Sequence, residues 1–237
     1  MSNPSFEFKQ FSVFHDRCAM KVGTDGVLLG AWASVDGCAR LLDVGAGSGL
    51  IALMLAQRNR DAFITAIEID EDALQQAEEN VKGSPFAERI TVVGTRFQDF
   101  TVKSSKRFDL IVCNPPFFTR SLLPTDAGRA KARHSVSLSL EELMQGAHQC
   151  LSPEGHLALI LPPDRLAEMT MLSEHFGFQL RRLTHVVPSP GKPVRRILAE
   201  FSLSPGEPEE TELLLEVARH HYSSAYIELV HDFYLNL

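Results

Sequence analysis

Four consecutive residues, Asn114-Pro115-Pro116-Phe117, carry the most specific chemistry in this chain of 237 residues. Two prolines in a row fix the backbone and remove two N–H donors, so the segment presents carbonyl acceptors. The Asn114 side-chain oxygen is a further acceptor, and Phe117 offers a flat apolar face. This inventory suits an amino group on a heteroaromatic ring, a poor nucleophile because its lone pair is shared with the ring. If Asn114 Oδ1 and the Pro115 carbonyl each accept one N–H, the lone pair is drawn out of conjugation and aimed at an electrophile. Phe117 can stack on the ring and hold the line of attack, so the rate comes from positioning and fixed dipoles. Neither a metal nor a covalent nucleophile is needed. Pro-Pro alone would read as a stiff turn; Asn before it and Phe after it give it chemistry.

The second constellation is Asp43-Val44-Gly45-Ala46-Gly47-Ser48-Gly49. Glycines let a backbone turn sharply and approach a ligand, and a following helix adds its positive N-terminal end. A dinucleotide fold would show Gly-x-Gly-x-x-Gly here. The spacing is instead Gly-x-Gly-x-Gly after an acid, Asp43, which would repel a phosphate. Glu68 can accept from both hydroxyls of an unphosphorylated ribose, and Asp99 from an adenine amine, although its spacing allows a placement one position off. Together these residues describe a pocket for an adenosine that carries an amino acid and no phosphate. S-adenosyl-L-methionine fits.

Both constellations need strand ends to hold them. From Arg40 the chain alternates β-rich runs with helical stretches, the pattern of a doubly wound, mostly parallel α/β sheet. The runs 41–44, 62–69, 90–93, 108–113 and 157–161 read as strands. Helices are expected over 50–58, 71–82 (with Ala73, Leu74, Ala77 and Val81 inward), from the capping box Ser139-Leu140-Glu141-Glu142 to about 151, and over 166–176, closed by Gly177. Residues 178–187 and 194–203 read as an antiparallel C-terminal hairpin around 188–193, 204–212 as a surface loop, 213–217 as a strand and 222–235 as a helix. The expected organisation is a single Rossmann-like domain over 1–237, with a flanking segment 1–39, a core 40–203 and a C-terminal strand and helix 204–237.

A net charge of −7 argues against holding nucleic acid by bulk electrostatics. The basic residues are nonetheless grouped: Arg120, Arg129, Lys131 and Arg133 follow the Asn-Pro-Pro-Phe loop, and Lys192, Arg195 and Arg196 lie in the hairpin. Both groups are candidates to meet RNA phosphates around the pocket mouth, against the plain alternative of a solvated polar face. Among the aromatics, Tyr222, Tyr226 and Phe233 read as a packed helix face rather than a stacking platform. The four cysteines and nine histidines show no metal spacing, and no segment is long and apolar enough for a membrane span or a signal peptide. These features point to a cytoplasmic, metal-free protein, with nothing to suggest other than a monomer.

The glycine loop and Asn114 to Phe117 together resemble the class I S-adenosylmethionine-dependent methyltransferases acting on amino nitrogens. Upstream, Phe8 to Phe11 and Met20 to Trp32 are similar to the N-terminal block of the bacterial valine-tRNA adenine-N6 methyltransferase family, and the end, with Asp232-Phe233-Tyr234-Leu235, is similar to that family's end. The resemblance implies methylation of N6 on the adenosine 3′ of the anticodon of a valine tRNA. It also implies that Lys21, Thr24 and Asp25 contact the methionine end of the cofactor. Gly45, Gly47 and Gly49 would line its methionine and ribose, Glu68 the ribose and Asp99 the adenine, with Asn114 to Phe117 on the target base. Related enzymes for guanine N2 in ribosomal RNA share the loop, and a glutamine-N5 group has Tyr at its last position. An RNA-binding module with a retained cofactor pocket is the non-enzymatic alternative.

Overall fold

The computed structural model describes residues 3–103, 105, 107–115 and 138–236. A short antiparallel hairpin, β1 (Ser5–Glu7) and β2 (Ser12–Phe14), precedes helix α1 (Thr24–Trp32). Alternation then sets in: β3 (Arg40–Val44), α2 (Leu50–Arg58), β4 (Phe63–Glu68), α3 (Glu71–Lys82), β5 (Ile90–Gly94), α4 (Phe97–Lys103) and β6 (Phe108–Cys113). After residue 138 come α5 (Leu140–Cys150), β7 (Leu151–Leu161), α6 (Leu166–His175), β8 (Gln179–Val187), β9 (Arg196–Ser202) and β10 (Glu209–Leu214). The small hairpin β11 (Glu216–Ala218) and β12 (His221–Tyr222) leads into α7 (Ser224–Val230).

Eight strands form one sheet in the order β10-β8-β9-β7-β6-β3-β4-β5. Only β9 runs against its neighbours, so the expected mostly parallel sheet with a C-terminal antiparallel pair is what forms. Alternate residues of each strand feed opposite faces, because side chains along a strand point to alternate sides. Leu41, Ile64, Val112 and Ile160 pack with α1, α2 and α7 on one face, while Leu42, Ile67, Ile111 and Leu159 pack with α4, α5 and α6 on the other. The N-terminal hairpin closes the first face through Phe6, Phe8 and Phe11 against Tyr234 and Phe233. Phe8 bridges Tyr234, and Lys9 N donates to Phe233 O at 2.8 Å.

Three of the expected elements differ in their bounds, and β1, β2, α1, α4 and the β11–β12 hairpin form where no such element was expected. β10 begins at Glu209, inside the expected loop, because an edge strand with only Leu213 buried tolerates glutamates. β7 begins at Leu151 rather than 157, with a bulge where Gly155 lies so close that a Cβ would stand 2.8 Å from Phe108 O. The last helix covers only 224–230: Ser223 caps it by accepting from Tyr226 N at 3.0 Å, and Phe233 reaches the core from a turn.

Candidate functional site

The glycine loop leaves the carboxyl end of β3, where open α/β sheets bind their ligands. Gly45, Gly47 and Gly49 all have positive φ (73°, 55° and 80°), a conformation L side chains rarely adopt. At Gly45 and Gly47 a side chain would meet nothing within 4 Å, so these two glycines face open space, whereas a Cβ at Gly49 would touch Ala77 at 3.5 Å. Gly45 N and Ala46 N donate to Ile67 O at 2.9 and 3.0 Å, folding the loop over the end of β4.

Glu68 fixes that shape. Its Oε2 accepts from Gly47 N at 2.8 Å, and its Oε1 from Ile69 N at 2.7 Å and Asp70 N at 2.9 Å. A carboxylate has about four lone-pair positions, so one remains, on Oε2. Glu68 can therefore take one ligand hydroxyl, not the two read from the sequence.

Asp43 sits behind the loop and is 0% exposed. Its Oδ2 accepts from Ala52 N in the first turns of α2 at 3.0 Å, and its Oδ1 has no partner among the described residues. Burial pushes its carboxyl up to about 7, and the neighbouring Glu68 charge pushes the same way. Asp43 thus anchors loop to helix and is not part of the cleft wall.

That wall encloses a cleft of about 240 Å³ lined by Met20, Gly45, Gly47, Glu68, Ile69, Phe97, Gln98 and Asn114, among others. Asn114 follows β6, the neighbour of β3, with Val44 paired to Cys113. The glycine loop and Asn114 therefore emerge side by side, about 5 Å apart. Pro115 is buried and is not among the residues that line the cleft. The Cys113 thiol also lines the cleft, but complete burial holds it well above its ordinary range, so it stays a neutral wall atom. Pro116, Phe117, Arg120, Arg129, Lys131 and Arg133 lie outside the described residues.

The other expected site residues divide. Asp99 is exposed in the first turn of α4 and does not line the cleft; Gln98, one position earlier, does. Of the upstream segment, Cys18, Ala19 and Met20 line the cleft in place of Lys21, Thr24 and Asp25. Lys21 and Thr24 are exposed, and Asp25 accepts from Arg196 Nε at 2.7 Å. An expected cofactor contact and an expected phosphate contact are thus paired with each other. Lys192 and Arg195 stand exposed on the β8–β9 turn.

Sequence reasoning missed Gln76 and Asn80, both buried on α3. Gln76 Oε1 accepts from Arg17 N at 3.0 Å, and Asn80 Oδ1 from Phe14 N at 2.9 Å. Asn80 Nδ2 also donates to Ser48 O in the glycine loop at 2.9 Å. Two amides spaced i, i+4 beside the Ala73/Ala77/Val81 stripe were the available signal.

Residues 27–183 match the family model described as the methyltransferase small domain. The chain is 48% identical over 238 residues to a tRNA1(Val) (adenine(37)-N6)-methyltransferase from Parabacteroides distasonis, covering all of both chains. It is 44% identical over 231 residues to the enzyme of that name from Cronobacter sakazakii, covering 97% of this chain and 94% of that one. The chain belongs to this methyltransferase family. Among solved structures, one titled as a predicted O-methyltransferase from Agrobacterium tumefaciens superimposes with a TM-score of 0.67 at 21% identity, over 88% of this chain and 96% of that one. A ribosomal protein L11 methylase from Lactobacillus delbrueckii gives 0.52 at 19%, over 75% and 76%. At those identities they share the fold.

In this methyltransferase, Asp43 gives stability a sign that can be measured. An unfolded aspartate releases its proton near 3.9, whereas the native Asp43 keeps it to about 7. Between those values the native state binds more protons, so Asp43's contribution to stability falls as pH rises through that window. Asp43→Asn keeps an acceptor for Ala52 N and cannot ionise. The gap between variant and wild-type unfolding free energies should therefore move in the variant's favour by roughly 2–4 kcal/mol from pH 4 to pH 8. Urea melts along that series giving parallel curves would rule this out.

Proposed function

We propose that this enzyme transfers a methyl group from S-adenosyl-L-methionine to N6 of an adenosine in tRNA, the position-37 adenosine of a valine tRNA. The observation that carries the reading is the shared cleft of Asn114 and the glycine loop, on the adjacent strands β6 and β3. The donor set fits the cofactor: Glu68 keeps one lone pair for a ribose hydroxyl, Ile69 and Phe97 supply apolar walls, and Gln98, whose amide also hydrogen-bonds Glu142, lines the cleft beside them. A carboxylate against the loop backbone disfavours a phosphate there. The cofactor supplies an electrophilic methyl.

Asn114 Oδ1 and the Pro115 carbonyl would each accept a hydrogen bond from one N6 N–H, leaving the nitrogen lone pair to form the N–C bond as the S–C bond breaks toward sulfur. The methylated nitrogen then gives one proton to water, so no strong base is needed. Phe117, outside the described residues, is assigned to the base face on the resemblance described above. Relatives named for this substrate match over the full chain, which favours tRNA adenosine over the guanine and glutamine targets sharing the loop. No helix among the described residues is long and apolar enough to cross a membrane, and no His, Cys, Asp or Glu group there could hold a metal. Action on tRNA supports a cytoplasmic location, and a monomer is the working state proposed for it.

Nucleoside mass spectrometry of bulk tRNA, with and without the gene, tests the reading. Loss of N6-methyladenosine from one tRNA is the expected result. An unchanged tRNA profile, with labelled methyl appearing on ribosomal RNA or a release factor, would replace the target.

A further inference from the structure

Of the aromatic series 222, 226 and 233, the structure buries Tyr226 and Phe233 and leaves Tyr222 41% exposed. Tyr222 ends the β11–β12 hairpin, whose tip is Arg219-His220, followed by His221. All four side chains are exposed. The hairpin's place follows from the ladder. β10 runs parallel to β8, with Leu214 opposite Val187; beyond it Leu215 N donates to Val187 O at 2.9 Å and Glu216 N to Pro188 O at 3.1 Å. The hairpin therefore leaves the sheet at the edge that carries Asn114, beside the turn bearing Lys192 and Arg195. Four strand steps separate β6 from β10, so its base lies about 19 Å from the Asn114 end of β6.

Charge changes along this edge strand. Glu209, Glu210 and Glu212 occupy its far end and middle, Leu213 and Leu214 follow, and beyond them come Arg219, His220 and His221, with Glu216 the one acid of the hairpin. Arg219 pairs with no carboxylate among the described residues; its Nε lies 3.2 Å from His220 Nε2. His220 has φ 63°, the one positive φ outside glycine among the described residues, so the tip is held in a conformation that glycine would adopt more readily. The Tyr222 ring leans on Tyr226, with centroids 5.1 Å apart and 48° between the planes, which braces the ring while the residue stays exposed.

We propose that the β11–β12 hairpin is an RNA-contacting arm, with Arg219 against a phosphate and Tyr222 stacked on a base or sugar of the stem-loop whose target adenosine enters the cleft. An exposed, braced aromatic on the same hairpin as a guanidinium that no described carboxylate neutralises is the combination that holds single-stranded or splayed RNA. The arm rests on the tRNA reading given above, and the experiment separates the two.

Binding of a fluorescent anticodon stem-loop is measured by anisotropy across a salt series, alongside methyl transfer to the same RNA. Arg219→Ala/Tyr222→Ala is expected to raise the Kd by about 10–100-fold and to lessen the log–log salt slope by about one. Its cofactor Kd and melting temperature should match wild type. Arg219→Lys/Tyr222→Phe, which keeps the charge and the ring, is expected to stay within about threefold of wild type. A double-alanine variant that binds like wild type, while wild type methylates the RNA, overturns the arm alone. Wild type that neither binds nor methylates the stem-loop overturns the tRNA reading and the arm with it.

Discussion

Asn114→Ala should lower kcat for methyl transfer by roughly 10²–10³ while leaving the Kd for S-adenosylmethionine within about twofold. The range is that of removing one preorganised polar partner from a reacting centre. Asn114 is half-buried where β6 runs out, and the pairing of Val44 with Cys113 sets it beside the glycine loop. On the proposed mechanism its carboxamide oxygen is the side-chain acceptor for the target amine, and alanine would leave only backbone carbonyls. The lone pair then stays conjugated with the ring. The glycine loop proposed to hold the cofactor is fixed by Glu68 and Asn80, neither of which alanine at 114 would disturb. Single-turnover transfer with saturating cofactor and RNA reads the chemical step directly. Transfer at the wild-type rate would remove Asn114 from the mechanism and leave the chain's carbonyls as the acceptors. A loss confined to KM would make it a binding group.

Glu68→Ala should act on the other substrate, raising the cofactor Kd by at least about 100-fold. The carboxylate accepts three backbone N–H groups, from Gly47, Ile69 and Asp70. Hydrogen bonds to a charged group contribute about 1.5–3 kcal/mol each, so even the loss of two exceeds a hundredfold. Gly45, Gly47 and Gly49 can each populate many conformations, and without Glu68 the Gly47 N–H loses its partner in the loop. Glu68→Gln keeps two acceptor lone pairs and should fall between. Isothermal titration with S-adenosylmethionine and with its demethylated product gives the measurement without any RNA. Equal affinities for wild type and the alanine variant would mean that the folding of the loop over Ile67 O suffices.

Much of this arrangement is legible in the residues, for reasons that differ by element. α2, α3 and β6 form over the ranges their patterns indicate, because each has an unambiguous signature: a glycine loop before it, an amphipathic stripe, or an unbroken apolar run. α1 has no such stripe. Seven of its nine residues are buried, and Gly30 lies where a Cβ would meet Met54 Sδ at 2.8 Å, so its glycines serve close helix packing rather than a turn. The two main constellations were visible because they sit at strand ends, where the period changes. Which side chain of a short helix enters the cleft was not, since Gln98 and Asp99 differ by about 100° around α4 and only the packing of buried Phe97 decides. The Asp25–Arg196 pair spans 171 residues of sequence, beyond any local pattern.

The meeting of Phe8 with Tyr234 has a temporal consequence. The two residues are 226 positions apart (234 − 8), and β1–β2 completes its aromatic cluster only with Phe233 and Tyr234 in place. At about 5–20 residues per second a ribosome needs roughly 11–45 s to span that interval. Phe6 and Phe8 are therefore made well before the Tyr234 ring that covers them, while the sheet between can already have assembled and Phe11 can already meet Phe86. During synthesis these two rings wait exposed for the C-terminal turn.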